Sequence, residues 1–125
     1  MAGTNQALTL GHVTFDAEHA TALATFWSGV LDRPVDEGAT EFFATVGKTG
    51  DEPLRPAFMF IQVPEPRTGK NRIHVDLLAV EWQLEVERVV ALGASKVGEF
   101  DEYGTKWATL ADPEGNLFDI GATGE

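Results

Sequence analysis

Cysteine is absent from the 125 residues. This absence excludes disulfides, thiolate nucleophiles and thiolate metal ligands together, and it is consistent with a reducing, cytoplasmic environment. A metal bound by this chain must therefore be held by nitrogen and oxygen ligands. Histidine is also scarce, with three residues, so each imidazole can be considered separately.

Long apolar runs and basic residues are also lacking. The sequence has no stretch of about 18 apolar residues, which predicts no membrane span, and "MAGTNQALTL" lacks the basic start and apolar run of a signal peptide. Nine Lys and Arg residues against 20 Asp and Glu give a formal charge of −11. Such a charge repels nucleic acid and anionic membranes, so we expect neither as a partner. The charge is typical of an acidic surface that keeps a protein in solution, and it would also attract a cationic small molecule.

The chain contains an internal repeat. "GHVTFDAEHATALATFWSGVLDRPV" aligns with "IHVDLLAVEWQLEVERVVALGASKV", which places His12 on His74 at an offset of 62 residues (74 − 12) and Val35 on Val97. Each half shows a strand, a helix and further strand segments. The repeat predicts an α+β fold of two tandem β-α-β-β-β modules, over about 7–64 and 71–122 with a linker at about 64–71. Two such modules side by side would form a curved mixed sheet, an incomplete barrel, around a central cleft.

Apolar residues at three- and four-residue spacing predict both helices. Asp16 is placed to cap the first helix, and Gly93 is placed to end the second. The two stripes are Ala20, Leu23, Trp27, Val30 and Leu31, and then Trp82, Val86, Val89 and Val90. Further strands are predicted at 34–39, 41–47, 56–63, 96–101, 105–111 and 116–122.

Strand alternation predicts which side chains face away from the helices. If Val13 and Phe15 pack under the first helix, His12 and Thr14 face the cleft. In the second half, Ile73, Val75 and Leu77 are expected to face the helix, and His74 and Asp76 the cleft. The last strands correspond through "IQV" and "FDI", which match Gln62 with Asp119.

The repeat thus offers His12, Gln62, His74 and Asp119 as ligands of one divalent metal. Imidazole and carboxylate groups suit zinc, iron, manganese, nickel or cobalt, and an amide oxygen is a weaker ligand. A strand histidine can equally be a hydrogen-bonded surface residue. Trp107, Tyr103 and Asp76 are the residues predicted to contact a substrate, although strand aromatics also occur in cores. The sequence identifies no catalytic residue beyond the ligands.

These segments resemble the vicinal oxygen chelate superfamily, the glyoxalase, bleomycin resistance and dioxygenase fold. The resemblance rests on "GHVTF", "FWSGVLDRPV", "VPEPRTGKNRIHVDL" and "LADPEGNLFDI". It implies paired β-α-β-β-β modules around one divalent metal, whose ligands match His12, Gln62, His74 and Asp119. The last ligand in metal-dependent members is most often Glu, so Asp119 is one methylene shorter, and the strong base of a glyoxalase isomerisation is missing.

Two functions follow as hypotheses. The first is a metal-dependent enzyme, a lyase, isomerase or dioxygenase, in which the metal acts as a Lewis acid on a small molecule with adjacent oxygens. The second is a metal-free binding protein that sequesters a small molecule, of the bleomycin-resistance kind. A homodimer is expected, since two-fold dimers are the commonest oligomers. The modules can pair within one chain or across two.

Overall fold

A computed structural model describes residues 8–66, 68–69 and 71–123. Residue 7, where the first predicted module begins, and residues 67 and 70 of the predicted linker lie outside this range. The elements follow the order β1(His12–Ala17), α1(Ala20–Leu31), β2(Phe43–Val46), β3(Ala57–Gln62), β4(Asp76–Ala79), α2(Trp82–Leu92), β5(Ser95–Glu102), β6(Thr105–Ala111) and β7(Leu117–Ala122).

The described strands form two open sheets. The first has the order β1-β3-β2 and the second the order β4-β7-β6-β5. In each, the first strand of the half runs parallel to the last one, and the remaining pairs are antiparallel. The predicted α+β class is confirmed, with mixed sheets and no closure into a barrel among these strands. The strand expected at 34–39 is reduced to one bridge between Val35 and Val46.

One hydrophobic core runs through both halves. Trp27 of α1 is fully buried, and its ring lies 5.5 Å from Phe15 of β1 and 4.7 Å from Phe118 of β7. Val86 and Val89 bury the face of α2 that packs on the second sheet. The apolar stripes therefore identified both helices and most of the faces that they bury. Val90, the last residue of the second stripe, is an exception, because it is 39% exposed.

The start of α1 differs from the prediction. His19, not Asp16, is the N-cap residue, and its side chain makes no capping hydrogen bond. Instead, the Glu114 carboxylate accepts hydrogen bonds from the backbone N–H groups of Glu18 (2.7 Å) and His19 (3.1 Å). A carboxylate is favourable there because the first N–H groups of a helix have no partner within the helix. The cap of α1 thus comes from the second half of the chain.

The "DPEG" turn also joins the halves through Asp112, which is buried. Its Oδ2 accepts a 3.0 Å hydrogen bond from Nε1 of Trp27, and its Oδ1 accepts from the backbone N–H groups of Glu114 and Asn116 at 2.9 Å. One carboxylate therefore shapes the turn and fixes α1 against it.

The start of β4 corrects a second expectation. The ladder begins at Asp76, although Val75 O already accepts a hydrogen bond from Asp119 N at 3.0 Å. Val75 and Leu77 pack against the core as predicted, but Ile73 is 85% exposed instead of facing α2. Regular alternation does not apply at Ile73 because that residue precedes the paired strand.

Within the described ranges, neither helix has the length and apolar character that a membrane span requires.

Candidate functional site

Three side chains converge on the face of the second sheet that is turned away from α2. His74 Nδ1 lies 3.0 Å from Asp76 Oδ1 and 3.7 Å from Asp119 Oδ2. Each of the three residues offers one potential ligand atom, and these atoms lie within 4.8 Å of one another. Within the described part of the chain, these three residues form the group of imidazole and carboxylate side chains that could hold a metal ion. We call these three residues the ligand triad.

The parallel pairing of β4 with β7 produces this arrangement. Asp76 lies directly opposite Asp119 in the register. His74 comes two residues before this paired strand, and its Nδ1 lies 3.0 Å from Asp76 Oδ1. Thr109 of β6 is the other neighbour of Asp119. Its hydroxyl donates a 2.7 Å hydrogen bond to Asp119 Oδ1, and Oδ2 is the oxygen nearer to His74.

The chemistry of the triad fits a divalent metal. One imidazole nitrogen and two carboxylate oxygens form a donor set that suits zinc, iron, manganese or cobalt, and three protein ligands leave positions open for water or substrate. Thr109 supplies the kind of hydrogen bond from outside the ligand set that orients a coordinating carboxylate. The side chains of Asp76 and His74 are exposed, so a metal ion could bind to them directly from solvent.

A cavity of about 410 Å³ adjoins the triad at the boundary between the two halves. It is lined by β1, by the segment before β4 and by the start of β7, and Trp27 and Phe118 lie among its apolar lining residues. His74 belongs to this lining as well as to the triad. A small molecule that reaches the triad therefore has an adjacent apolar volume available.

The other two predicted ligands lie elsewhere. His12 is exposed at the start of β1, opposite Ala57 of β3, and is not a member of the triad group. Gln62 pairs with Ala17 at the far end of the same strand pair, five residues or about 17 Å along β3. The structure therefore does not bring His12 and Gln62 to one point.

Gln62 also occupies a different face from the predicted one. Phe58 and Phe60 are buried under α1, so alternation places Gln62 on the same helix side, where its Nε2 donates a 2.8 Å hydrogen bond to Glu18 O. By strand register, the residue that corresponds to Asp119 is Met59. Thr14, 62 residues before Asp76, pairs with Met59 just as Asp76 pairs with Asp119.

The predicted substrate contacts are also separated. Trp107 is half-buried on β6, two residues from Thr109 and on the same face as the triad. Tyr103 lies in the turn between β5 and β6 and is 93% exposed, and neither Tyr103 nor Trp107 lines the cavity of about 410 Å³. Asp76 was predicted to contact a substrate. In the structure it belongs to the triad, with its Oδ1 3.0 Å from Nδ1 of His74. Thr109 was not predicted, since nothing in the sequence aligns it with Asp119.

Comparison with protein-family models gives a match to a glyoxalase-like domain over residues 12–121. This range includes every described helix and strand except the last residue of β7. The chain belongs to the glyoxalase-like family. That family is part of the vicinal oxygen chelate superfamily, as the sequence resemblance predicted. A search of curated proteins found no match.

Solved structures support the glyoxalase-like fold. A glyoxalase/bleomycin resistance protein/dioxygenase family enzyme from Burkholderia phytofirmans PsJN is 21% identical, with a TM-score of 0.73 over 92% of this chain and 98% of that chain. The fosfomycin resistance protein FosX from Listeria monocytogenes is 11% identical, with a TM-score of 0.67 over 96% and 95%. Lactoylglutathione lyase from Agrobacterium tumefaciens is 17% identical, with a TM-score of 0.63 over 95% of both chains. At identities of 11–21%, these similarities show that the glyoxalase-like chain has the same fold as the three proteins.

Proposed function

We propose that the protein is a cytoplasmic, metal-dependent enzyme of the vicinal oxygen chelate type. Its divalent metal is held by His74, Asp76 and Asp119, and its substrate is a small molecule with two adjacent oxygens. The observation that carries the proposal is the convergence of one imidazole and two carboxylates within 4.8 Å on an accessible sheet face. Members of the superfamily generally bind divalent metals and small-molecule substrates, which agrees with this donor set.

The bound metal would supply Lewis acid chemistry, the polarisation of a substrate oxygen. The chain's own residues then have separate tasks. His74 and the two aspartates hold the ion, and Thr109 keeps the Asp119 carboxylate in one orientation through its 2.7 Å hydrogen bond. The adjoining cavity binds the remainder of the substrate away from bulk water. Whether the reaction is a lyase, isomerase or dioxygenase reaction depends on the substrate.

Metal analysis of tag-free protein tests the proposal. We expect a stoichiometric divalent metal in the wild type and its loss in His74→Ala. His19→Ala is the matched control, since His19 is exposed and makes no side-chain capping bond, so its removal should leave the metal content unchanged. Equal metal in all three proteins would contradict the assignment of His74.

Pairing of subunits is a second part of the proposal. Proteins with the glyoxalase fold often form dimers, and we propose a homodimer in which His12 of one subunit completes the metal site of the other. His12 supports this by its exposed position on β1, which is an edge strand of the first sheet among the described strands. In a dimer of this kind, His12→Ala lowers metal affinity although His12 lies outside the triad. If His12→Ala binds the metal as tightly as the wild type, His12 is not a ligand of the site.

The alternative function is metal-free binding of a cationic small molecule, in the manner of an antibiotic-sequestering protein. The charge of −11 and the two exposed or half-buried aspartates of the triad favour it. Absence of metal, together with no thermal shift on addition of divalent ions, would select this alternative over the enzyme.

A further inference from the structure

The ladder of hydrogen bonds between β4 and β7 ends early. Asp119 N donates a 3.0 Å bond to Val75 O, and parallel strands repeat such a bond every second residue. The next donor along β7 is Leu117 N, and its regular acceptor would be Ile73 O. Leu117 N instead donates to Oδ1 of the Asn71 side chain at 3.2 Å. A side chain therefore occupies a position that the backbone before β4 would otherwise take.

The carboxamide of Asn71 forms a wedge between the two segments. Its Nδ2 donates to Ile73 O at 2.6 Å and to Leu117 O at 3.4 Å, while its Oδ1 accepts from Leu117 N. The wedge thus satisfies Ile73 O and Leu117 N, the acceptor and the donor that a longer β4 would join directly. Asparagine side chains compete with backbone pairing in this way because they carry both a donor and an acceptor. We call residues 71–74 the strap.

The first half of the chain shows the same ladder without a wedge. By the correspondence of the two strand registers, Gly11 and Ala57 are the counterparts of Ile73 and Leu117. Ala57 N donates directly to Gly11 O at 3.0 Å, which is the bond that the Asn71 carboxamide replaces in the second half. Relative to the repeat, β1 accordingly begins two residues earlier than β4. The ladder without a wedge is therefore a conformation that half of this fold already adopts.

Ile73 is the side chain that the wedge displaces. Val75 and Leu77 pack against the core, so alternation along a longer β4 would turn Ile73 to the core as well. In the structure Ile73 is 85% exposed, and it lines the cavity of about 410 Å³ together with Trp27 and Phe118. An isoleucine in water beside an apolar cavity leaves the free energy of its burial unused. The strap therefore has a second favourable packing.

We propose that the strap has two states and controls access to the cavity. In the open state, which the structure shows, the Asn71 carboxamide holds the strap away from β7 and the cavity is available to a small molecule. In the closed state the carboxamide withdraws, Leu117 N donates to Ile73 O, and the Ile73 side chain enters the cavity. Ile73 and a bound molecule exclude one another, so a molecule in the cavity stabilises the open state. The inference goes beyond the proposed function and requires no metal.

NMR of protein labelled at the isoleucine δ1 methyl groups distinguishes the two states. The chain contains three isoleucines, Ile61, Ile73 and Ile120, so the spectrum is simple to assign. A neutral gadolinium chelate in solution broadens each methyl signal according to its exposure. In the wild type the broadening should decrease from Ile73 to Ile61 to Ile120, which are 85%, 38% and 2% exposed.

Asn71→Ala removes the wedge and should close the strap. We expect the broadening of the Ile73 methyl to fall toward that of Ile120, contacts between this methyl and the Trp27 ring to appear, and Ile61 to stay unchanged. An Ile73 methyl as accessible as in the wild type would overturn the proposal.

Two further variants complete this test. Asn71→Asp keeps an acceptor for Leu117 N but loses both Nδ2 bonds, so it should also close the strap. Thr68→Ala removes another polar group from the cavity lining and is the control, which should leave the Ile73 methyl unchanged. Loss of the folded state in both Asn71 variants would overturn the proposal, because Asn71 would then support the fold instead of acting as a removable wedge.

Urea unfolding gives an independent test through a double-mutant cycle. Ile73→Ala should hardly change the unfolding midpoint of the wild type, where Ile73 is exposed, but should lower it in the Asn71→Ala background, where Ile73 is buried. Additive effects of the two substitutions would show that Ile73 remains outside the core in both proteins, which would overturn the closed state.

Benzene tests whether the strap controls the cavity. Followed through the isoleucine methyl shifts, benzene should bind the wild type and bind Asn71→Ala about tenfold more weakly, because few molecules then have an open cavity. Adding Ile73→Ala to Asn71→Ala should restore the affinity, since alanine cannot fill the cavity. No binding to the wild type, or equal affinity for the wild type and Asn71→Ala, would overturn control by the strap. All these measurements use metal-free protein, so their outcome is independent of whether the ligand triad binds a metal.

Discussion

Trp27 and Asp112 join the two halves of the chain through a buried hydrogen bond of 3.0 Å between the indole Nε1 and Oδ2. The same carboxylate accepts hydrogen bonds from the backbone N–H groups of Glu114 and Asn116 and from Nδ2 of Asn116, so it is the acceptor for four donors from two segments. This bond fixes α1 and the turn before β7 together, and β7 carries Asp119.

We predict that Asp112→Asn destabilises the protein by about 1–3 kcal/mol, because an amide nitrogen would then face buried donors that have lost an acceptor. Urea unfolding measures this loss. Asp101→Asn, at an exposed position on β5, is the control and should change stability by less than about 0.5 kcal/mol. A cost for Asp112→Asn no larger than that of the control would show that the buried bond does not hold the halves together.

Glu114 gives a second prediction, which concerns the start of α1. Glu114→Ala removes the carboxylate that accepts the N–H groups of Glu18 and His19, and we expect a loss of about 1 kcal/mol in unfolding free energy. The exposed Glu87 on α2 serves as the control for removing one negative charge, through Glu87→Ala. If both variants are equally stable, the cap across the halves contributes nothing.

Asp36 gives a prediction about pH. Partial burial acts to raise the pKa of its carboxyl, but hydrogen bonds from Thr45, from Lys48 N and from Thr49 outweigh this effect and hold the pKa below its ordinary value of 3.8. A depressed folded-state pKa stabilises the protein above the unfolded value, and this contribution is lost as pH falls through the folded value. Solvent exposure keeps the effect small.

The measurement for Asp36 is the difference in melting temperature between wild type and Asp36→Asn. We expect the wild type to melt higher near pH 7 and the difference to shrink as the pH falls below the ordinary carboxyl value of 3.8. Asp51→Asn, in the neighbouring loop, should show no such trend. A difference between wild type and Asp36→Asn that does not change with pH would contradict the role given to the ionised carboxylate.

Periodicity predicted the helices well because apolar spacing directly reflects burial. The stripe of α1 contains Leu23 and Trp27, both buried, and Gly93 follows the last residue of α2 as expected. The internal repeat predicted that His74 and Asp119 lie close together, and Nδ1 of His74 is 3.7 Å from Oδ2 of Asp119. They meet because β4, which starts two residues after His74, pairs in parallel with β7.

Strand register was the part that the sequence could not determine. "IQV" and "FDI" present the same apolar-polar-apolar pattern, but pairing with β1 places Met59, not Gln62, at the position of Asp119. Backbone pairing decides this register, and a short pattern with a period of two fits several registers. The cap from Glu114 was equally hidden, because it joins residues more than 90 positions apart.

Zinc titration of chelator-stripped protein by isothermal calorimetry tests the central claim, that His74, Asp76 and Asp119 hold a divalent metal, most directly. We predict saturable binding to the wild type, weakened by about a hundredfold or more in Asp119→Ala and unchanged in Asp101→Ala. No measurable heat with the wild type, or equal affinities in the wild type and both variants, would contradict the claim.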